Sequence, residues 1–246
     1  MKRILAIDTS SAWCSVALSV NDRAEKIAER HELLGASASQ HLLPWITDLL
    51  KQEGIRLRDL DAIAVGIGPG AFTGVRLSIA VVQGLALATD LPVAPVASLD
   101  AIAASAIDNP LIQAMDASQY EFTVAIDARM GEVYWANYGV RIAGQVGADT
   151  IVLPQRIGDI QLSKPEDIQI GMSQCVFGSA VTQYPTYFEQ CMPSTQMDGA
   201  LGVSARGVLR CVQAMMANQQ LIAVDQLEPL YVRNKVALTS AERGAK

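Results

Sequence analysis

Histidine is the scarcest chemical resource of this chain, and the residues that usually go with it in catalysis are not clustered either. Only two histidines, His31 and His41, occur in 246 residues. They flank a glycine-containing segment and are not one helical turn apart, whereas an imidazole-based metal site needs rings converging on one ion. No metal site is expected. The four cysteines, Cys14, Cys175, Cys191 and Cys211, show no metal-ligand spacing, and no apolar leader precedes the first strand-like run. A reduced, cytoplasmic setting is therefore the expectation.

Other absences narrow the field further. No run approaches the ~18 consecutive apolar residues of a membrane span. The most apolar stretch, Arg76 to Asp90, is bounded by charge and interrupted by Gln83 and Gly84, so no membrane partner is expected. With 19 basic against 25 acidic residues, a formal charge of −6 and no basic run, the chain lacks the clustered Lys and Arg that grip a phosphate backbone. A nucleic acid would have to be held through a partner. There is no Gly-x-Ser-x-Gly nucleophile elbow, and no Gly-Lys-Ser/Thr ending of a P-loop.

What the chain has is apolar content of 50%, enough to bury one large domain or two small ones, and a glycine-rich junction. Val65-Gly66-Ile67-Gly68-Pro69-Gly70-Ala71-Phe72-Thr73-Gly74-Val75-Arg76 interrupts a strand-like run just before a long apolar helix. Glycines permit unusual dihedrals and close approach, and the first N–H groups of the following helix are free. Asp8, Thr9, Gly68, Gly70, Thr73, Gly74 and Arg76 are thus candidates for an anion or nucleotide loop. A tight strand-to-helix turn without a ligand is the alternative.

The order of elements is βββαβαβα in the first part. Strands are expected over Arg3 to Asp8, Cys14 to Val20, Lys26 to Leu33, Asp61 to Val65 and Pro92 to Val96. Helices are expected over Ser39 to Glu53 and Thr73 to Thr89, with a third N-capped by Ser98. A polar passage beginning at Asn109-Pro110 marks a boundary between residues 1–109 and 110–246. The second part opens with a hairpin from Glu121 to Val140, is irregular to about Met197, and ends in a helix from Ser204 to Ala217. Ile7-Asp8 and Ile126-Asp127 end similar strands, each followed by a turn and a second strand, which suggests an internal duplication.

The helix after the glycine loop, Arg76 to Ala88, has almost no polar face. A helix that packs on one sheet and otherwise meets water should be amphipathic, so this one should be buried on a second side. Ala80, Gly84 and Ala88 form a flat stripe, flanked by Leu77 and Val81, where another helix can approach. The neighbouring helix bearing Leu42, Ile46 and Leu49 would complete a bundle across a two-fold axis. The competing arrangement turns the stripe onto the chain's own sheet.

Four blocks carry a resemblance: Ile7-Asp8-Thr9, Gly68 to Arg76, Ile126 to Ala136, and Glu228-Pro229-Leu230-Tyr231-Val232-Arg233-Asn234. In this order, across nearly the whole chain, they resemble the bacterial TsaB family, also called YeaZ, accessory proteins of the tRNA threonylcarbamoyladenosine modification. The resemblance implies an α/β, actin-like (ASKHA) fold of two duplicated βββαβα-type subdomains. It implies a non-catalytic subunit whose main partner, TsaD, carries the metal and transfers the threonylcarbamoyl group to N6 of adenosine 37, in tRNAs reading codons that start with A. TsaE joins through the complex, and the chain alone forms a homodimer. It has no cofactor of its own, ATP or ADP entering at the level of the complex, and tRNA is met only indirectly.

Asp8 and Asp127 are the acids an actin-like ATPase would use around magnesium, but their turns are poor in glycine, which favours relics of a nucleotide-binding ancestor. Arg129, Glu132, Tyr134, Tyr231 and Arg233 form either an internal salt-bridged cluster or a partner contact. A stand-alone actin-like ATPase and a glycoprotease-like peptidase, the latter needing a hydroxyl or thiol beside His41, are the alternative functions.

Overall fold

Strand β1 (Ile4–Asp8) is apolar at every position but its last, and all five residues are buried. Such a run suits a central strand covered on both faces. In the structure, a computed structural model describing residues 2–20, 27–115, 119–141 and 153–233, β1 pairs antiparallel with β2 (Trp13–Ser19), which pairs antiparallel with β3 (Ile27–Leu33). Helix α1 (Ala38–Gln52) leads to β4 (Ala62–Gly66), parallel to β1. Helix α2 (Phe72–Thr89) then leads to β5 (Val93–Val96), parallel to β4, and α3 (Ser98–Ala106) follows. The sheet order is β3-β2-β1-β4-β5. Lys26 and Asn234, at the edges of an expected strand and of the last sequence block, lie outside the described residues.

A four-residue helix α4 (Pro110–Gln113), capped by the Asn109 side chain, opens the second half. It continues through β6 (Gln119–Asp127), β7 (Val133–Arg141), β8 (Gln155–Ser163), β9 (Val176–Phe177), α5 (Ser179–Gln183), α6 (Pro185–Cys191), β10 (Met197–Asp198) and α7 (Ala205–Ala217). Its sheet runs β8-β7-β6-β9-β10 with the same sequence of antiparallel and parallel pairings. The expected duplication is therefore present strand for strand. One element departs: the position of α1 between the third and fourth strands is taken in the second half by a single 3-10 turn, Pro165–Asp167.

Two corrections concern local structure. The passage before Met197, expected to be irregular, contains β8, β9, α5 and α6; β8 is an exposed edge strand, so it lacks an apolar alternation, and β9 is two residues long. Ser98 is the first residue of α3 and not its cap; Ala97 takes that place, and the Ser98 hydroxyl turns instead to the Ser10 hydroxyl at 3.0 Å.

The two halves share a core. On one face of the first sheet, Leu5, Ile7, Val16 and Leu18 pack with Leu42, Ile46 and Leu49 of α1 and Ile79, Val82 and Ala86 of α2. On the other face, Ile4, Ala6, Ala17 and Ala64 join one cluster with α3, α7 and Phe122, Val124 and Tyr138 of the second sheet. Helix α7 follows the second sheet in sequence but packs on β1, β2, β4 and β5, and α3 packs on β6, β7 and β9. This crossing of helices puts the two equivalent hairpin turns, after β1 and after β6, on the same cleft.

Candidate functional site

The cleft has a volume of about 1170 Å³ and is lined from the first half by the β1–β2 turn and the glycine loop, and from the second by the β6–β7 turn and residues 199–203. The glycine loop is shaped by the turn that lies on it. A Cβ at Gly70 would overlap the Ser10 carbonyl oxygen, and one at Gly74 the Thr9 carbonyl oxygen. Ala71 N–H donates to Ser10 O at 2.6 Å, and Thr9 Oγ1 donates to Gly74 O at 2.6 Å. The structure thus gives these two glycines a use that involves no ligand: they admit the chain's own backbone. Gly68, with φ +92°, sits under Leu230 O and Val75, while Thr73 and Arg76 are exposed.

Asp8 ends β1 fully buried. The Ser10 N–H and hydroxyl each donate to its Oδ1 at 3.0 Å, while Oδ2 has no hydrogen-bond partner among the described residues. Burial pushes its carboxyl up to about 7, against the lowering effect of the two Ser10 hydrogen bonds. Its counterpart Asp127 is engaged differently. Oδ1 accepts from Arg129 N–H at 3.0 Å and from the Tyr184 hydroxyl at 3.1 Å, and Oδ2 pairs with the Arg129 guanidinium at 3.3 Å. One acid is closed into the core and the other is held by a cation. Neither is placed as a free oxygen ligand of the kind magnesium takes, and no group of three or more His, Cys, Asp or Glu converges among the described residues. The pair does not fit a magnesium nucleotide site.

The polar cluster left open between two arrangements is internal at its centre. Arg233 pairs with Glu132 at 2.7 Å and donates to Ala128 O at 3.1 Å and to Met130 Sδ at 3.2 Å. Tyr231 instead accepts a hydrogen bond from Arg76, whose guanidinium lies 3.3 Å from the centroid of the Phe72 ring. Phe72 and Tyr231 are both largely exposed, so this stacked trio stands at the cleft rim.

Helix α2 divides cleanly into two faces. Val75, Ser78, Ile79, Val82 and Ala86 are buried. Ala80, Gly84 and Ala88 are exposed, with Leu77 and Val81 at the margin, so the stripe does not face the chain's own sheet. Phe72 and Leu87, missed from the sequence, share that outer face at 67% and 78% exposure; their spacing from Ala80 and Ala88 along the helix was the available signal. By length and composition α2 could cross a bilayer, but it carries Arg76 and Gln83, and its inner face is packed on β4 and β1. Leu42, Ile46 and Leu49 require a correction. They are buried under the first sheet at 0%, 3% and 1% exposure and are not available to a partner; the exposed apolar side chains of α1 are Leu43 and Pro44.

His31 stacks on Trp13 with centroids 4.6 Å apart, and burial lowers its pKa. His41 Nδ1 lies 3.0 Å from Ser37 O.

Two five-stranded sheets of identical order, each led by a strand ending in Asp and opening on a shared cleft, define an actin-like α/β protein of the ASKHA type. A family model described as "TsaD: tRNA N6-adenosine threonylcarbamoyltransferase" matches residues 32–157. The chain is 35% identical over 241 residues to the "tRNA threonylcarbamoyladenosine biosynthesis protein TsaB" of Escherichia coli strain K12, covering 96% of each protein. It is 35% identical over 236 residues to the protein of that name from Haemophilus influenzae, covering 95% and 94%. The solved structure of YeaZ from Pseudomonas aeruginosa superposes with a TM-score of 0.74 at 33% identity, over 94% of this chain and 100% of that one. The chain belongs to the TsaB family.

Proposed function

We propose that this protein is a non-catalytic accessory subunit of tRNA threonylcarbamoyladenosine biosynthesis, acting in the cytoplasm. It binds TsaD through the outer face of α2 and supports transfer of the threonylcarbamoyl group to N6 of adenosine 37 in tRNAs reading codons that begin with A. TsaE joins through the complex, tRNA is held mainly by the partner, and the chain alone pairs with itself through the same face. Nucleotide, where it enters, does so at the level of the complex.

The observation that carries this proposal is the outer face of α2. Ala80, Gly84, Leu87 and Ala88 are exposed together on one helix, and apolar residues gathered on an exposed helix face are of the kind that marks a protein interface. The titratable groups support the non-catalytic half of the proposal. Asp127 is paired with Arg129 and Asp8 is closed off, so among the described residues these two acids are not placed as the acid–base pair that ATP hydrolysis would use.

Gly84→Leu tests it. Nothing lies within 4 Å of a Cβ at Gly84, so the monomer should fold normally. A partner helix seated on the stripe would meet the new side chain, and overpacking of this kind should weaken TsaD binding by about 100-fold. Affinity measured with purified TsaD should show that loss beside an unchanged circular dichroism spectrum. Wild-type affinity in the variant would move the interface elsewhere.

A further inference from the structure

We infer that residues 222–233 form a strap across the cleft, latched to the second half by Arg233 and able to open without unfolding of the core. The strap is anchored to the first half for most of its length. Ile222 and Val93 exchange two backbone hydrogen bonds of 2.9 Å, Leu227 is buried in the first-half core, Gln83 Nε2 donates to Leu227 O at 3.3 Å, and Leu230 N–H donates to Ile67 O at 2.9 Å. The next three residues line the cleft and reach the other side of it.

Arg233 makes that crossing, and its hydrogen bonds among the described residues fall on one turn. Its guanidinium bonds Ala128 O, Glu132 Oε2 and Met130 Sδ, which bracket the β6–β7 connection. Arg129, Met130 and Gly131 there have φ of 61°, 59° and 76°. Two consecutive non-glycine residues in the left-handed region persist only where the surroundings over-determine them. The turn's own bonds, Ala128 N–H to Glu132 O at 2.9 Å and Glu132 N–H to Arg129 O at 3.1 Å, and the Asp127 carboxylate on the Arg129 N–H and guanidinium supply part of that restraint, and the Arg233 fork adds to it from the other side of the cleft. The latch is one side chain, with 27% of the Arg233 side chain exposed and its buried Nε lacking a partner among the described residues. A restraint of that size allows an open form populated at about 0.1–10%. Opening swings residues 231–233 from the cleft rim and frees both the turn and the Arg76–Tyr231 contact.

Amide hydrogen exchange of the full chain tests the strap without any partner. In Arg233→Ala, exchange at Ala128, Glu132 and Leu230 should accelerate about tenfold, the effect of losing a charge-assisted bond, while amides of β1 and β4 keep wild-type rates. Arg233→Lys, which keeps the charge but not the planar fork, should fall between the two. Unchanged exchange at the turn and strap in Arg233→Ala would overturn the latch. Acceleration spread equally over β1 and β4, or loss of the fold in both variants, would make Arg233 a general stability residue and overturn the strap.

Discussion

Gly74→Ala is expected to cost roughly 3 kcal/mol of folding stability or more, the upper part of the range for inserting atoms into a packed site, while Gly84→Ala in the same helix should add about 1 kcal/mol. The two glycines lie ten residues apart in sequence and have opposite surroundings. The Cβ of an alanine at position 74 would occupy the place of the Thr9 carbonyl oxygen, and backbone cannot step aside as a flexible side chain can. To make room, the β1–β2 turn would have to lift from the loop and lose the Thr9 Oγ1 bond to Gly74 O and the Ala71 N–H bond to Ser10 O. Position 84 faces open space, so alanine there removes only the entropic penalty of glycine in a helix. Urea midpoints of the two variants should move in opposite directions. A Gly74→Ala protein as stable as wild type would show that the turn yields and that the glycine serves something else.

How much of this was legible beforehand follows from the range over which each feature is encoded. Strands such as Ile4–Asp8 and Ala62–Gly66 announce themselves because central burial demands an unbroken apolar run. The outer stripe of α2 was legible for a related reason: a helix with residues as apolar as Ala80, Val81 and Leu87 outside its sheet-facing set departs from amphipathicity. The same rule failed for α1. Leu42, Ile46 and Leu49 are the apolar face of an ordinary amphipathic surface helix, so their periodicity points to the chain's own sheet, where the structure buries them, and not to a partner. Edge strand β8 was missed because its exposed residues carry no alternation. The use of Gly70 and Gly74, and the seating of Arg233 on a turn 101 residues away from it in sequence at Glu132, depend on which segments meet, and local sequence does not state that.

Asp8→Asn is expected to stabilise the protein at pH 8 and to leave it unchanged near pH 4. The carboxyl is fully buried and pushed up to about 7 from an ordinary value of 3.8, with burial outweighing the two Ser10 hydrogen bonds that favour its charged form. Between those values the folded chain keeps a proton that the unfolded chain has released. Its contribution is therefore fully present below about pH 4, falls as pH rises, and is lost once pH passes through about 7. A displacement of about three pH units corresponds to about 4 kcal/mol, which for a chain of this size is on the order of 10 °C in Tm. Asparagine keeps an acceptor for Ser10 N–H and Oγ–H and cannot ionise, so the difference in unfolding free energy between variant and wild type should grow from about pH 4 and level off above about pH 7. The orphaned Oδ2 points the same way, because a buried carboxylate oxygen without a partner is costly when charged and much less so when protonated. A constant difference across that range would mean that Asp8 is ionised in the folded protein and is held by contacts that compensate its burial.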